Sequence, residues 1–153
     1  AILMAAACEA GAILGAASSE QQKALADFGM SLGTAFQLMD DTLDYTATEE
    51  EFGKSIGHDL EEGKITLPLI HTLRHCAAEE RAAIGTVVEQ DEMSLEDFRQ
   101  VSGLVKRYGG LEYTVEVARR HIDACRSHLA PFEDTPVKRA LCELADYVVT
   151  RNI

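Results

Sequence analysis

Leu25-Ala26-Asp27-Phe28-Gly29-Met30-Ser31-Leu32-Gly33-Thr34-Ala35-Phe36-Gln37-Leu38-Met39-Asp40-Asp41-Thr42-Leu43-Asp44-Tyr45 places Leu25, Phe28, Leu32, Phe36 and Met39 at steps of three and four. That period belongs to one face of an α-helix and not to a strand. Just upstream, Ser18-Ser19-Glu20-Gln21-Gln22 reads as a capping box, with serine at the cap and glutamine three residues on. The helix is therefore expected over 19–45. Gly29 and Gly33 interrupt it, and glycine inside a helix costs about 1 kcal/mol against alanine. Close helix–helix approach and room for a ligand would each account for them equally well.

The same helix carries Gln37, Asp40, Asp41 and Asp44 within an arc of roughly 100°. Asp40 and Asp44 are like charges four residues apart, a pairing that costs an isolated helix about 0.2–0.5 kcal/mol. Negative charge at a helix C-terminus also opposes the macrodipole. The nearest preceding cation in this helix is Lys23. A hard divalent cation reverses the repulsion, because Mg²⁺ prefers carboxylate oxygens and often bridges them to phosphate. Taken alone, the cluster reads either as a metal site or as a solvated acidic face.

Residues 46–65 break the helical pattern. Phe52-Gly53-Lys54-Ser55-Ile56-Gly57-His58-Asp59-Leu60-Glu61-Glu62-Gly63-Lys64 sets two lysines among glycines. Lysine is a point-charge partner for phosphate, and glycine lets a ligand approach the backbone. The glycine spacing is not that of a P-loop. A carboxylate trio followed by such a loop suits Mg²⁺-diphosphate.

Every other long segment is also helical. The first helix is expected from the start to about Ala17, as a tightly packed interior helix with Gly11 and Gly15 as packing positions. Its apolar run is Ala/Gly-rich, short and interrupted by Glu9, so a membrane span is rejected. Helices resume near Thr66, with Pro68 in the first turn, and continue near 79–90, 94–108, 110–130 and 135–151. Ser94-Leu95-Glu96-Asp97 and Asp134-Thr135-Pro136 read as starts, and Gly109-Gly110 and Pro131 as stops. The fold class is an all-α helical bundle.

Composition narrows the function classes. The 153 residues include 26 acidic and 14 basic side chains, for a net charge of −12. Neither nucleic acid nor an anionic membrane would find a basic patch here. The 4 cysteines, at 8, 76, 125 and 142, form no CxxC pair. Widely spaced free thiols fit a reducing, cytoplasmic setting. Cys76, Cys125 and Cys142 read as buried small hydrophobes. No signal-peptide pattern is visible, and the opening Ala1-Ile2-Leu3-Met4-Ala5-Ala6-Ala7 already lies inside a helical pattern. A piece of a longer protein is expected.

Gly33-Thr34-Ala35-Phe36-Gln37-Leu38-Met39-Asp40-Asp41-Thr42-Leu43-Asp44-Tyr45 resembles the second aspartate-rich motif of trans-type prenyl diphosphate synthases. Gly53-Lys54 through Gly63-Lys64-Ile65-Thr66-Leu67-Pro68-Leu69 resembles the segment that follows it in the long-chain, octaprenyl-like polyprenyl branch. Ala1-Ile2-Leu3-Met4 is similar to the continuation of that family's Lys-Thr-bearing helix. The resemblance runs from residue 1 to about 75. His58 stands where long-chain members often carry Asp, whereas Asp59 matches. The first aspartate-rich motif and the Lys-Thr pair are not within this sequence.

The resemblance implies residues 1–153 as the C-terminal part of a single isoprenoid-synthase-type domain, an incomplete helical bundle without its N-terminal helices. It implies Mg²⁺-dependent, head-to-tail elongation of an allylic prenyl diphosphate with isopentenyl diphosphate, giving a polyprenyl diphosphate of the kind used for quinone side chains. By the same resemblance Asp40, Asp41, Asp44 and Asp59 are metal residues. Asp40, Lys54 and Gln37 are catalytic, and Phe36, Gln37, Lys54 and Lys64 contact substrate. The apolar face of the first helix helps line a tunnel for the growing chain, and the enzyme is a homodimer. This chain alone is expected to be inactive. Rival readings are a terpene cyclase sharing the fold and a non-catalytic or regulatory subunit.

Two other patterns are set aside. His71 and His75 have a zinc-compatible i,i+4 spacing without an HExxH pattern or a cysteine partner. His121 and His128 lie in a charge-rich helix and read as solvated.

Overall fold

A computed structural model describes residues 1–46, 58–90 and 92–151. Among them the chain forms α1 (Ile2–Leu14), α2 (Ser19–Leu43), α3 (His58–Glu61), α4 (Leu67–His75), α5 (Ala78–Val88), α6 (Leu95–Arg107), α7 (Gly110–His128) and α8 (Pro136–Thr150), with no strand. The all-α expectation holds. Among the described residues no helix is long and apolar enough to cross a membrane.

The starts fall where local chemistry puts them. The Ser18 hydroxyl accepts from the Gln21 N–H at 3.3 Å, and the Gln21 side chain accepts from the Ser18 N–H at 3.1 Å. Ser94 and Asp97 repeat that reciprocal box at 3.1 Å each way. Thr135 caps α8 through the Lys138 N–H, and Pro136 sits in the first turn. Each arrangement occupies N–H groups that a helix start leaves without intrahelical partners. Gly109, at φ +71°, ends α6.

Other boundaries differ from expectation. The first helix ends at Leu14, not Ala17. There the Ala17 N–H donates to Ala12 O and the Ala16 N–H to Ile13 O, the double reverse bond of a Schellman motif. Ala16 takes the left-handed φ of 52° that this turn requires. α2 ends at Leu43, so Asp44 and Tyr45 form the turn beyond it. Within the interval 46–65, the described residues from 58 on include a helical turn, α3, that the glycines concealed.

Two compact units result, residues 1–39 with 116–153, and residues 40–115. In the first, α1 buries Ala5 and Ala12 while Leu3 and Leu14 stay 83% and 88% exposed. Its buried face is built of alanine and its large side chains stay exposed, so α1 packs closely on one side only and is not the interior helix expected. The reason lies in α2. A Cβ on Gly29 would stand 2.5 Å from the Met4 carbonyl oxygen, and one on Gly33 would stand 2.5 Å from Ala1 Cα. Close helix approach therefore explains both glycines. A Cβ on Gly11 meets nothing within 4 Å, and Gly15 is the C-cap of α1. The packing role expected of those two is absent. Phe28, Leu32, Ala35, Ile122, Cys125, Leu129 and Val148 belong to this unit's buried set. Cys142 is only half-buried, contrary to expectation, because its neighbours on the outer side of α8, Glu143 and Leu144, are exposed.

The second unit has a core of Tyr45, Leu60, Leu69, Cys76, Ile84, Val87, Phe98, Val101 and Val105. Glu80 on α5 binds α6 to it, accepting from the Tyr108 hydroxyl at 2.5 Å and from Arg107 at 2.9 Å. His71 stacks between His75 and Tyr113, with ring centroids 4.3 Å away on either side. Aromatic packing occupies both faces of that imidazole.

Candidate diphosphate and metal site

The site begins where α2 stops. Asp40 and Asp41 lie on its last turn, and Asp44 follows one residue beyond Leu43. Tyr45 anchors the exit: its ring is buried, and its carbonyl accepts from the Ser102 hydroxyl on α6 at 3.2 Å. Burial pushes the Tyr45 phenol up to about 12, so it stays protonated among the carboxylates.

α3 brings the next carboxylate to this turn. The Asp59 N–H donates to Asp44 Oδ2 at 3.2 Å. Leu60, fully buried, fixes α3 in the core. Gly63, at φ +70°, then turns the chain so that the Lys64 N–H reaches Asp59 O at 2.7 Å. The Lys64 ammonium donates to Asp59 Oδ1 at 2.9 Å and pairs with Glu62 at 2.7 Å. These two carboxylates, Glu62 first, raise the Lys64 pKa.

Four aspartates and one lysine thus share a small volume. Its electrostatic signature sits on Asp41, whose carboxyl is pushed up to about 6. Partial burial is the main cause, followed by the charges of Asp59, Asp40 and Asp44, while Lys64 opposes them. Asp41 therefore keeps a proton well above the ordinary carboxylate range. An all-oxygen donor set short of positive charge suits a hard divalent cation. Among the described residues no three His, Cys, Asp or Glu side chains already stand as a metal-gripping group. Asp44 is turned to the Asp59 N–H, and Asp59 to Lys64.

Lys54 lies outside the described residues. Gln37 is exposed and Phe36 half-buried on the turn of α2 before Asp40. The guanidinium of Arg151 lies over the Phe36 ring, 4.1 Å from its centroid. Glu62 as a partner of Lys64, and Arg151 over Phe36, were not anticipated. The first was visible as a neighbour in sequence. The second joins residues far apart in the chain and leaves no local signal.

Comparison with known proteins identifies the family. The polyprenyl synthetase family model matches residues 1–105. The octaprenyl diphosphate synthase of Escherichia coli (strain K12) is 40% identical over 150 residues, covering 98% of this chain and 46% of that protein. Decaprenyl-diphosphate synthase subunit 1 of Schizosaccharomyces pombe is 34% identical, covering 98% of this chain and 38% of that protein. Among solved structures, the polyprenyl synthase of Caulobacter crescentus CB15, in complex with calcium and isoprenyl diphosphate, superposes with a TM-score of 0.89 at 38% identity, covering 99% of this chain and 46% of that one. The likeness extends past residue 75, where the motif-level resemblance ended. The chain spans about half the length of the curated relatives it matches and corresponds to a C-terminal portion of them. With the family model matching residues 1–105 and the helical frame superposing on a solved polyprenyl synthase, this chain belongs to the polyprenyl synthetase family.

Proposed function

We propose that this chain supplies the second aspartate-rich half of a single-domain prenyltransferase that joins isopentenyl diphosphate to an allylic prenyl diphosphate, head to tail, giving a polyprenyl diphosphate. The observation that carries the reading is the gathering of Asp40, Asp41, Asp44 and Asp59 beside Lys64. In the reaction the allylic C–O bond breaks, diphosphate departs, a C–C bond forms and a proton leaves the new prenyl unit.

Asp40, Asp41, Asp44 and Asp59 would hold Mg²⁺. When bound, the ion supplies positive charge to diphosphate oxygens that carboxylates alone would repel. Lys64 adds fixed positive charge at the same turn, donating to Asp59 Oδ1 at 2.9 Å. Lys54 is assigned to the allylic diphosphate, and Gln37 and Phe36 to the isopentenyl group or the allylic cation. The exposed apolar side of α1 is offered to the growing chain. A cytoplasmic homodimer belongs to the same reading, consistent with four free cysteines. A second reading, a subunit without turnover of its own, draws on the fission-yeast relative, which is named as one subunit of its synthase.

The test is to incubate the full-length protein with labelled isopentenyl diphosphate, an allylic primer and Mg²⁺, then size the product. Asp40→Ala should abolish product while leaving helicity unchanged. Near-normal turnover in that variant sinks the metal role, and absence of product from the wild type favours the subunit reading.

A further inference from the structure

We infer that Arg151 is a positioning residue for Phe36, and that Phe36 acts on substrate by shape rather than as a stabiliser of positive charge. The inference rests on the prenyl-transfer reading above. Arg151 is the C-cap of α8, with its N–H donating to Tyr147 O at 3.0 Å. Val148 and Val149, both buried, fix this last turn in the core of the first unit. From there the guanidinium lies 4.1 Å from the centroid of the Phe36 ring. Ala35 and Met39, which flank Phe36 on α2, are buried, so the ring's backbone is equally fixed. The contact therefore joins two rigid points.

A guanidinium over an aromatic face is held by the ring quadrupole. With one face so occupied, Phe36 has only its other face and its edge for a ligand. The π density is already drawn toward Arg151, and the guanidinium charge repels a second cation placed opposite. A carbocation is thus a poor partner for this ring. An uncharged isopentenyl group, which needs a flat apolar wall in a fixed place, is a good one. Arg151 supplies the fixing, and its loss frees the Phe36 side chain to rotate.

The experiment measures KM and kcat of the full-length enzyme for isopentenyl diphosphate in Arg151→Gln, Arg151→Lys, Phe36→Leu and the Phe36→Leu/Arg151→Gln double variant. Loss of a cation–π contact of ordinary strength predicts a KM rise of about tenfold in Arg151→Gln, with a much smaller fall in kcat. Arg151→Lys, which keeps the cation, should recover part of that loss. In the Phe36→Leu background Arg151→Gln should cost nothing further, because Arg151 acts through the ring. Equal losses in both backgrounds would mean that Arg151 touches substrate directly and would overturn the inference. So would an unchanged KM with a lowered Tm, which is the mark of a purely structural contact. If the wild-type enzyme forms no product, the prenyl-transfer reading fails and this inference falls with it; product with an unchanged KM in Arg151→Gln defeats the inference alone.

Discussion

The backbone N–H of Asp59 donates to Oδ2 of Asp44 at 3.2 Å, so the carboxylate that leaves α2 is the first partner of α3. One side chain thereby ties the motif on the helix to the turn that carries Asp59 and Lys64. Replacing Asp44 with alanine leaves the Asp59 N–H without its acceptor, a loss comparable to removing a helix cap, about 1 kcal/mol. Asparagine keeps an acceptor oxygen. Amide exchange at residues 58–61 should therefore quicken about fivefold in Asp44→Ala and change little in Asp44→Asn. Equal exchange in the two variants would detach α3 from Asp44.

The Asp41 carboxyl makes stability depend on pH in a direction opposite to that of an ordinary salt-bridged aspartate. Its folded pKa, about 6, lies above the ordinary 3.8. Its contribution to stability is complete below the ordinary value and is lost as pH rises through about 6. At pH 7.5 without divalent cations, Asp41→Asn should stabilise the fold by about 1 kcal/mol, a figure discounted for the group's partial exposure. At pH 4 the variant should match the wild type. Mg²⁺ at pH 7.5 should raise the wild-type Tm more than that of Asp41→Asn. Thermal melts at the two pH values, with and without Mg²⁺, check all three expectations.

What the sequence disclosed follows the range of each interaction. Ser18 with Gln21, Ser94 with Asp97 and Thr135 with Lys138 are contacts across three residues, and each marked its helix start. The arc of Asp40, Asp41 and Asp44 is likewise a property of helical period. Asp59 and Lys64 join that arc through a turn built on Gly63, so the arc alone left metal site and acidic face open, and the glycine–lysine loop and then the resemblance pointed to Mg²⁺-diphosphate. Ser102 on the Tyr45 carbonyl and Arg151 on Phe36 join residues far apart in the chain and had no local trace. The end of α1 was hidden for another reason: the left-handed position falls on an alanine, one residue after the glycine that would have announced it.

That misplaced glycine gives a stability prediction. Left-handed backbone costs an L-residue about 1–2 kcal/mol, and glycine avoids it at some cost in unfolded-state entropy. Ala16→Gly should therefore stabilise the protein by about 0.5–1 kcal/mol. Denaturant melts on the two proteins measure the difference. A loss of stability would show that α1 does not end in the Schellman turn.

Gly11 and Gly29 look alike in sequence, each an interior helical glycine with another four residues on, yet they should respond oppositely to the same substitution. A methyl at Gly29 would meet the Met4 carbonyl oxygen at 2.5 Å and Ala5 Cα at 2.8 Å. These are backbone atoms, so relief requires α1 and α2 to move apart rather than a side chain to rotate. Gly29→Ala should destabilise by about 1–3 kcal/mol, the usual cost of overpacking. Gly33→Ala should behave likewise, since its Cβ would stand 2.5 Å from Ala1 Cα. A methyl at Gly11 meets nothing within 4 Å. Gly11→Ala should gain the helix-propensity difference, up to about 1 kcal/mol. Opposite signs in the two melts locate the close approach of α1 on the Gly29–Gly33 face of α2, whereas a shared sign would place it elsewhere.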